Sequence, residues 1–253
     1  MKEQRRKQMG DLIAQRQSMS MEQLRQAFGV SMNTIRADVA YLIQTGAVEK
    51  IYGGVRVNAH KQVPLFASRA NIHPVQKLRI AKAAESYIQD GDIVFIDAGT
   101  TTMHLIDCLD DSKHITVVTA NLYVVQKAFF HENIKLVVLP GTFNRRTNSA
   151  SDVSTLEYLS RYQFNKAFMG VSGVSQDGML NVSTYIEYEL KRTALSRSVD
   201  AYLLVDSSKF DSTGLMSYGN LTDMRGIVSD RGCPETVRSF CREHRIALTL
   251  ADT

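Results

Sequence analysis

From Ile93 onward the chain repeats one pattern: a short apolar run, a turn of small and polar residues, then a helical stretch. The apolar runs fall at Ile93–Ile96, Ile115–Val118, Leu136–Leu139, Ala167–Met169, Tyr202–Val205 and Arg225–Val228. Helical spacing fits between them at about residues 101–109, 122–131, 154–161 and 185–199. The runs are continuous rather than alternating. A strand that is apolar on both sides is covered on both faces, which restricts this part of the chain to an α/β fold, a mostly parallel sheet with helices on each side. Pro74 suits the first turn of a helix before the first run, with Val75, Leu78, Ala81, Ala84 and Ile88 at helical spacing and Asp90-Gly91 as its end.

The 253 residues make one large or two unequal domains, and the charge separates two. Residues 1–60 hold nine Lys/Arg against five Asp/Glu, whereas residues 61–253 hold 21 of each, so the whole net charge of +4 lies in the first quarter. A small basic domain that meets a polyanion, joined to a neutral domain, is the organisation this implies. The composition excludes a disordered chain and a disulfide scaffold. Three cysteines without a C-x-x-C spacing point to a reducing cytoplasm. The apolar runs are far shorter than the ~20 residues that span a bilayer, and no apolar stretch follows the charged start, so neither a membrane span nor a secretory signal is expected.

The first sixty residues read as three helices and a hairpin. A helix over about residues 2–16 carries Met9, Leu12 and Ile13 on one face. Ser20, with Gln23 three residues on, has the form of a capping box, and Leu24, Ala27 and Phe28 follow at helical spacing up to Gly29. Ser31 is an N-cap candidate for a third helix with Ile35, Val39, Leu42 and Ile43 inward, stopped by Gly46. Val48, Ile51 and Val55 around Gly53-Gly54 make a hairpin. A helix-turn-helix followed by a hairpin is a winged helix. The third helix would present Asn33, Thr34 and Arg36 near its N-terminus, where such a helix enters the major groove of duplex DNA. Asn and Arg match adenine and guanine edges bidentately. Arg5, Arg6, Lys7, Lys50 and Arg56 are placed to neutralise phosphates. A protein-docking module is the alternative for the same elements.

In a parallel sheet, ligands bind beyond the carboxyl ends of the strands. Those ends carry Asp97-Ala98-Gly99-Thr100-Thr101-Thr102, Thr119-Ala120-Asn121, Gly141 with Asn144 and Arg145, Gly170-Val171-Ser172-Gly173, and Asp206-Ser207-Ser208-Lys209. Small residues, hydroxyls and cations thus converge on one rim. Gly99 lets the backbone approach a ligand, and the threonine hydroxyls with the following helix amides suit an anion such as phosphate. The turn is neither a P-loop nor a dinucleotide fingerprint, and threonines there also serve as simple caps. Glu187 and Lys191 stand i,i+4 on one helix, where a surface ion pair of ~0.3–0.5 kcal/mol is the plain expectation. The six histidines show no metal-ligand spacing, and no nucleophile arrangement is present, so neither a metal, a cofactor nor a catalytic residue is assigned.

The run Val30–Val57 resembles the winged-helix domain of DeoR-family bacterial regulators: Ser31, Thr34, Ile35, Arg36, Asp38, Gly46, Gly53 and Gly54 match, while Ala37 replaces a usual second arginine. That resemblance adds Ser31 and the wing residue Tyr52 to the DNA-binding set. Phe66–Arg69, Lys77, Asp97–Thr102, Gly141–Arg145, Lys166–Gly173, Glu187–Lys191 and Asp206–Lys209 follow the family's effector domain in order, a domain similar to sugar-phosphate isomerases. The resemblance implies a phosphorylated sugar held at the phosphate by Gly99, Thr100, Thr101 and Thr102, with Asp97, Asn121, Arg145, Glu187, Lys191 and Lys209 around the rest of it. Ala120, with its asparagine one place late, and Thr142, where glycine is usual, depart from the family pattern. The domains implied are a winged helix at 1–57, a linker at 58–73 and an effector domain at 74–253. The function implied is a repressor of a carbohydrate-utilisation operon, acting as a homo-oligomer because one winged helix contacts one half-site. A sugar-phosphate isomerase carrying a DNA-binding appendage is the rival reading.

Overall fold

The computed structural model describes residues 2–16, 18–44, 48–57 and 65–252. Its contacts divide the chain into two compact units, Met1–Arg69 and Ala70–Thr253.

The first unit contains α1 (Lys2–Arg16), β1 (Ser18–Ser20), α2 (Met21–Phe28), α3 (Met32–Gln44), β2 (Val48–Ile51) and β3 (Gly54–Val57), then the start of α4 (Phe66–Ala70). The capping box at Ser20 forms: the Gln23 amide donates to Ser20 Oγ at 3.1 Å and the Ser20 amide to Gln23 Oε1 at 2.8 Å. Gly29 ends α2 in the left-handed conformation at φ 62°, and Ser31 Oγ receives the Thr34 amide at 3.2 Å. Met9, Ile13, Leu24, Ile35, Val39, Leu42, Val48 and Val55 form one buried cluster. The hairpin β2–β3 is joined by β1, which pairs antiparallel with β3 and is not foreseen by the sequence pattern. That third strand explains Gly54. A Cβ there would stand 2.3 Å from the Met19 carbonyl oxygen. Gly46 and residues 58–64 lie outside the described residues. The stretch read as a linker over 58–73 contains a helix, α4, whose five residues are too few to show a period.

The second unit contains α5 (Pro74–Glu85), β4 (Ile93–Ile96), a 3-10 helix (Thr102–Cys108), β5 (Ile115–Thr119), α6 (Leu122–Ala128), β6 (Ile134–Val138), β7 (Phe143–Asn144), β8 (Ser149–Ala150) and α7 (Val153–Leu159). There follow β9 (Phe164–Met169), β10 (Gly173–Val174), β11 (Met179–Val182), α8 (Tyr185–Ser196), β12 (Ser198–Val205), β13 (Met216–Asn220), β14 (Gly226–Ser229), α9 (Glu235–Glu243) and β15 (Ala247–Leu250). Seven strands build one parallel sheet in the order β15-β14-β12-β9-β4-β5-β6. The chain starts at β4, steps outward through β5 and β6, then returns to the other side of β4 with β9 and continues to β15. The order therefore reverses between β4 and β9. A crevice opens at such a reversal because the two flanking connections leave in opposite directions. A smaller antiparallel sheet, β10-β11-β13, is not anticipated by the sequence pattern, nor are α9 and β15.

One helix is rotated from its expected setting. The inward face of α5 is Lys77, Ile80, Ala81 and Ala84, while Val75 and Leu78 are 54% and 44% exposed. A lysine takes the place that the hydrophobic spacing gives to its neighbours. Among the described residues, no helix is long and apolar enough to cross a membrane.

Candidate functional site

Asp97 follows β4 and Gly170 follows β9, so the two sit at the reversal of the sheet. Asp97 is buried, and its Oδ2 accepts from the Gly170 amide at 3.0 Å and from Lys191 Nζ. Lys191 also donates to the Gly170 carbonyl oxygen at 2.9 Å, where the Tyr218 hydroxyl joins it at 3.1 Å. Lys191 therefore does not form the helix-surface pair with Glu187 that the i,i+4 spacing suggests. It points from α8 to a carboxylate 94 positions away in sequence. Both ionic side chains are less than one-tenth exposed, so the contact between them replaces hydration that each has lost. Burial pushes the Tyr218 hydroxyl well above its ordinary pKa, with the charge of Asp97 adding to the effect. It stays a neutral donor.

The threonine turn wraps this pair. Thr102 Oγ1 donates to the Asp97 carbonyl oxygen at 2.8 Å and accepts the Gly99 amide at 3.1 Å. Thr100 Oγ1 accepts from the buried Lys77 Nζ at 3.1 Å. Asn121 caps α6 by accepting the Tyr123 amide at 3.0 Å, and its Nδ2 reaches the carbonyl oxygens of Asp97 and Gly99 at 3.3 and 3.4 Å. An asparagine one position late can thus span the ends of two adjacent strands. Glycine is needed where these loops meet: a Cβ on Gly170 would lie 2.9 Å from Asp97 Oδ2, and one on Gly99 2.9 Å from Thr102 Oγ1. The structure thus joins Asp97, Gly99, Thr102, Asn121 and Lys191 by hydrogen bonds, while Thr100 in the same turn is bonded to Lys77 and Thr101 is buried. The arrangement gathers hydroxyls, amides and two lysines, here bonded within the protein, and these are group types whose chemistry suits an anion.

The other rim residues are placed by their elements. Arg145 is exposed in the β7–β8 hairpin, which is tied to the loop after β5 by the Asn121–Ser149 bridge and the Leu122 amide on the Asn148 carbonyl oxygen at 3.0 Å. Thr142, the second departure, donates its amide and hydroxyl to Asp152, each at 2.9 Å. The hydrogen bond from the Ser154 hydroxyl, joined by those from Thr142, holds the Asp152 carboxyl down to about 2. Glu187 lies in the first turn of α8, where its Oε2 accepts from the cap residue Thr184 at 3.0 Å. Lys209 ends the short helix Ser207–Lys209 after β12, half-buried at the same edge of the sheet. Lys166 is elsewhere: it bonds Asp92 at 2.5 Å toward the amino ends of the strands. Lys77, Gly170 and Tyr218 are not among the binding residues expected from the sequence. The stripe Lys77-Ile80-Ala81-Ala84 is a usable signal for the first, because a lysine on an apolar helix face needs an internal partner. Tyr218 lies on a strand the sequence does not reveal.

In the winged-helix unit, Asn33 and Arg36 are exposed on the first turns of α3, and Thr34 shares a hydrogen bond with Ser31 at 2.9 Å. Lys50 is exposed on β2, and Tyr52 stands fully exposed at the hairpin turn. Two arginines have internal duties that the sequence does not show. Arg5 and Arg6 each direct Nε to the buried Asp38, at 2.6 and 2.8 Å, and Arg6 lies over the Tyr41 ring at 4.1 Å. Arg5 is therefore a brace between α1 and α3 before it is a phosphate contact. Arg56 pairs with Glu49 across the hairpin.

Comparison with known proteins accords with both units. A DeoR-like helix-turn-helix domain matches residues 5–61, and a DeoR C-terminal sensor domain matches residues 72–231. The chain is 35% identical over 251 residues to the HTH-type transcriptional regulator IolR of Bacillus subtilis, covering 99% of this chain and 100% of that protein. It is 27% identical over 240 residues to the glycerol-3-phosphate regulon repressor of Escherichia coli, covering 95% of each. Among solved structures, ribose 5-phosphate isomerase A of Methanocaldococcus jannaschii aligns with 53% of each chain at 20% identity and a TM-score of 0.39. Full-length similarity to regulators, with both domain models matched in order, makes this chain a member of the DeoR family of transcriptional regulators.

Proposed function

We propose that the protein is a DNA-binding repressor of a carbohydrate-utilisation operon whose operator affinity is set by a phosphorylated sugar or sugar-derived metabolite. The units proposed are a winged helix at 1–57, a connection at 58–73 and an effector domain at 74–253. The observation that carries the reading is the threonine turn closed on a buried lysine and a buried Asp97–Lys191 pair, at the reversal of a parallel sheet. That arrangement combines donors for a phosphate with a carboxylate able to accept from hydroxyls. The relative named as a glycerol-3-phosphate regulon repressor supports a phosphorylated metabolite as the signal.

Gly99, Thr100, Thr101 and Thr102 hold the phosphate in this reading, with Asp97, Asn121, Arg145, Glu187, Lys191 and Lys209 around the sugar. Ser31, Asn33, Thr34, Arg36, Lys50, Tyr52 and Arg56 contact double-stranded operator DNA, and Arg5 positions α3. The same rim serves binding without turnover, so the protein acts as a sensor and not an isomerase. The ligand shifts operator affinity by binding one conformation better than another, and a coupling of ~1–3 kcal/mol changes that affinity roughly 5- to 150-fold. The protein works in the cytoplasm as a homo-oligomer reading repeated half-sites.

The test separates the two activities. Operator fragments are selected from genomic DNA by the purified protein at fixed salt, and the selected site is then titrated with candidate sugar phosphates. Arg36→Ala is expected to lose operator binding and keep ligand binding. Thr101→Val and Lys209→Ala are expected to keep operator binding and lose the ligand response. Unchanged operator binding by Arg36→Ala, or a full response in both rim variants, overturns the assignment. Turnover of ribose 5-phosphate by the purified protein favours the isomerase.

A further inference from the structure

The parallel sheet ends on two edges, β15 and β6. They differ in what they present. In β15, Leu248 and Leu250 pack against the core cluster, and no large apolar side chain of the strand is exposed. The β6 edge carries apolar groups at both ends. Phe129 and Phe130, in the turn that leads into the strand, are 80% and 82% exposed, and Val138 at its end and Phe143 beyond it are exposed as well. Ile134 and Leu136 between them are half-buried.

The backbone of β6 decides what can cover this edge. The Ile115 amide donates to the Asn133 carbonyl oxygen at 3.3 Å, and the Leu139 amide to the Thr119 carbonyl oxygen at 2.9 Å, so residues 133 and 139 face β5. Backbone groups alternate sides along a strand, so Lys135 and Val137 also face β5, and Ile134, Leu136 and Val138 direct theirs outward. The Ile134 amide closes the preceding turn on the His131 carbonyl oxygen at 3.4 Å. The Ile134 carbonyl and both backbone groups of Leu136 and Val138 have no partner among the described residues. A row of open donors and acceptors on an edge is satisfied by another strand.

We propose that this edge takes the same edge of a second copy of the chain, antiparallel about a two-fold axis at Leu136. In that register the two Leu136 amides donate to each other's carbonyl oxygens, and each Val138 amide donates to the Ile134 carbonyl oxygen of the second copy. A two-fold contact uses one patch on both copies, and this patch complements itself. The end bearing Phe129 and Phe130 meets the end bearing Val138 and Phe143. Lys135, the one charged residue of β6, stands opposite Val137 of the second copy rather than opposite its like. The match in backbone, apolar ends and charge favours a second copy over an unrelated strand. The proposal rests on the homo-oligomeric reading given above and names the surface that serves it.

The test uses the full-length chain without DNA or sugar phosphate, so failure here is distinct from failure of the regulator reading. The parent is expected to sediment at twice the chain mass of 28.3 kDa or an even multiple of it. Val138→Lys is expected to weaken that association by about tenfold or more, with an unchanged far-ultraviolet circular dichroism spectrum. Residues directly opposite in such a pair have Cα atoms about 5.5 Å apart, within the span of a disulfide. Leu136→Cys is therefore expected to form a covalent dimer under mild oxidation. Val138→Cys is not, because its two copies stand four residues, about 13 Å, out of register; adding Ile134→Cys to it restores the crosslink. The parent gives the blank: Cys233 and Cys241 are buried, and burial pushes the Cys108 thiol up to about 11. A monomeric parent overturns the proposal. So does association unchanged in Val138→Lys, and so does Val138→Cys crosslinking as fully as Leu136→Cys.

Discussion

Replacing Lys191 by methionine tests how the sensor unit holds a charge in its interior. The substitution keeps the length of the side chain and removes its cation. Asp97 then keeps only the Gly170 amide as donor, and the Gly170 carbonyl oxygen keeps the Tyr218 hydroxyl. Breaking a buried ion pair from one side costs about 3–5 kcal/mol, because the partner charge stays behind unpaired. The surviving amide bond places Lys191→Met at the lower end of that range, about 3 kcal/mol. With a urea slope of roughly 2 kcal/mol per molar, the midpoint falls by about 1.5 M. Asp97→Asn, which strands the lysine instead, should cost a similar amount. The double variant should cost clearly less than the two singles together, since neither charge then remains. Urea unfolding followed by circular dichroism reads all three. Single-variant losses under about 1 kcal/mol, or strict additivity in the double variant, would show that the two residues do not sustain each other. A mutually dependent ion pair would then not be what organises the centre of the site.

Gly170→Ala brings a methyl group to 2.9 Å from Asp97 Oδ2; a destabilisation of about 1–3 kcal/mol and weaker binding of the sugar phosphate are expected, and a variant equal to the parent in both would refute the close packing of the two loops. Burial raises the Asp38 carboxyl, but the hydrogen bonds and charges of Arg5 and Arg6 outweigh it and hold the pKa below its ordinary value. A depressed carboxyl contributes stability above the unfolded pKa of about 3.9 and loses it as pH falls through the folded value. The stability gap between the parent and Asp38→Asn, followed by urea unfolding, should therefore shrink below about pH 4, and a gap unchanged in acid would count against the arginine clamp. Ser20→Ala removes one half of the capping box on α2 and should cost about 1 kcal/mol, with Ser20→Asp recovering most of it; equal losses in both would mean that the cap is not what the serine supplies.

What could be read from the chain directly was whatever its own neighbours specify. The Ser20–Gln23 box, the turn at Gly29 and the cap at Ser31 involve partners within four residues, so their chemistry is written in nearby positions. The parallel sheet was legible for a related reason: a strand covered on both faces is apolar along its whole length wherever it sits. The helix α5 shows where such reading stops. Its periodicity is compatible with two settings that differ by a modest rotation, and the turn bearing Thr100 decides for Lys77 inward. Arg5 and Arg6 carry the same positive charge whether they face a phosphate or Asp38, and only the packing of α1 on α3 selects the carboxylate. Lys191 had a nearby acid in Glu187 at favourable spacing, yet the fold gives it to Asp97, because a buried carboxylate gains more from a cation than a partly hydrated one does. The sequence by itself determined the local caps and turns, six of the seven strands of the parallel sheet, the two-part charge division and the residue types gathered at the strand ends. Tertiary structure alone decided which of those residues meet, since partners brought together across the reversal between β4 and β9 lie dozens of residues apart and share no periodic signal.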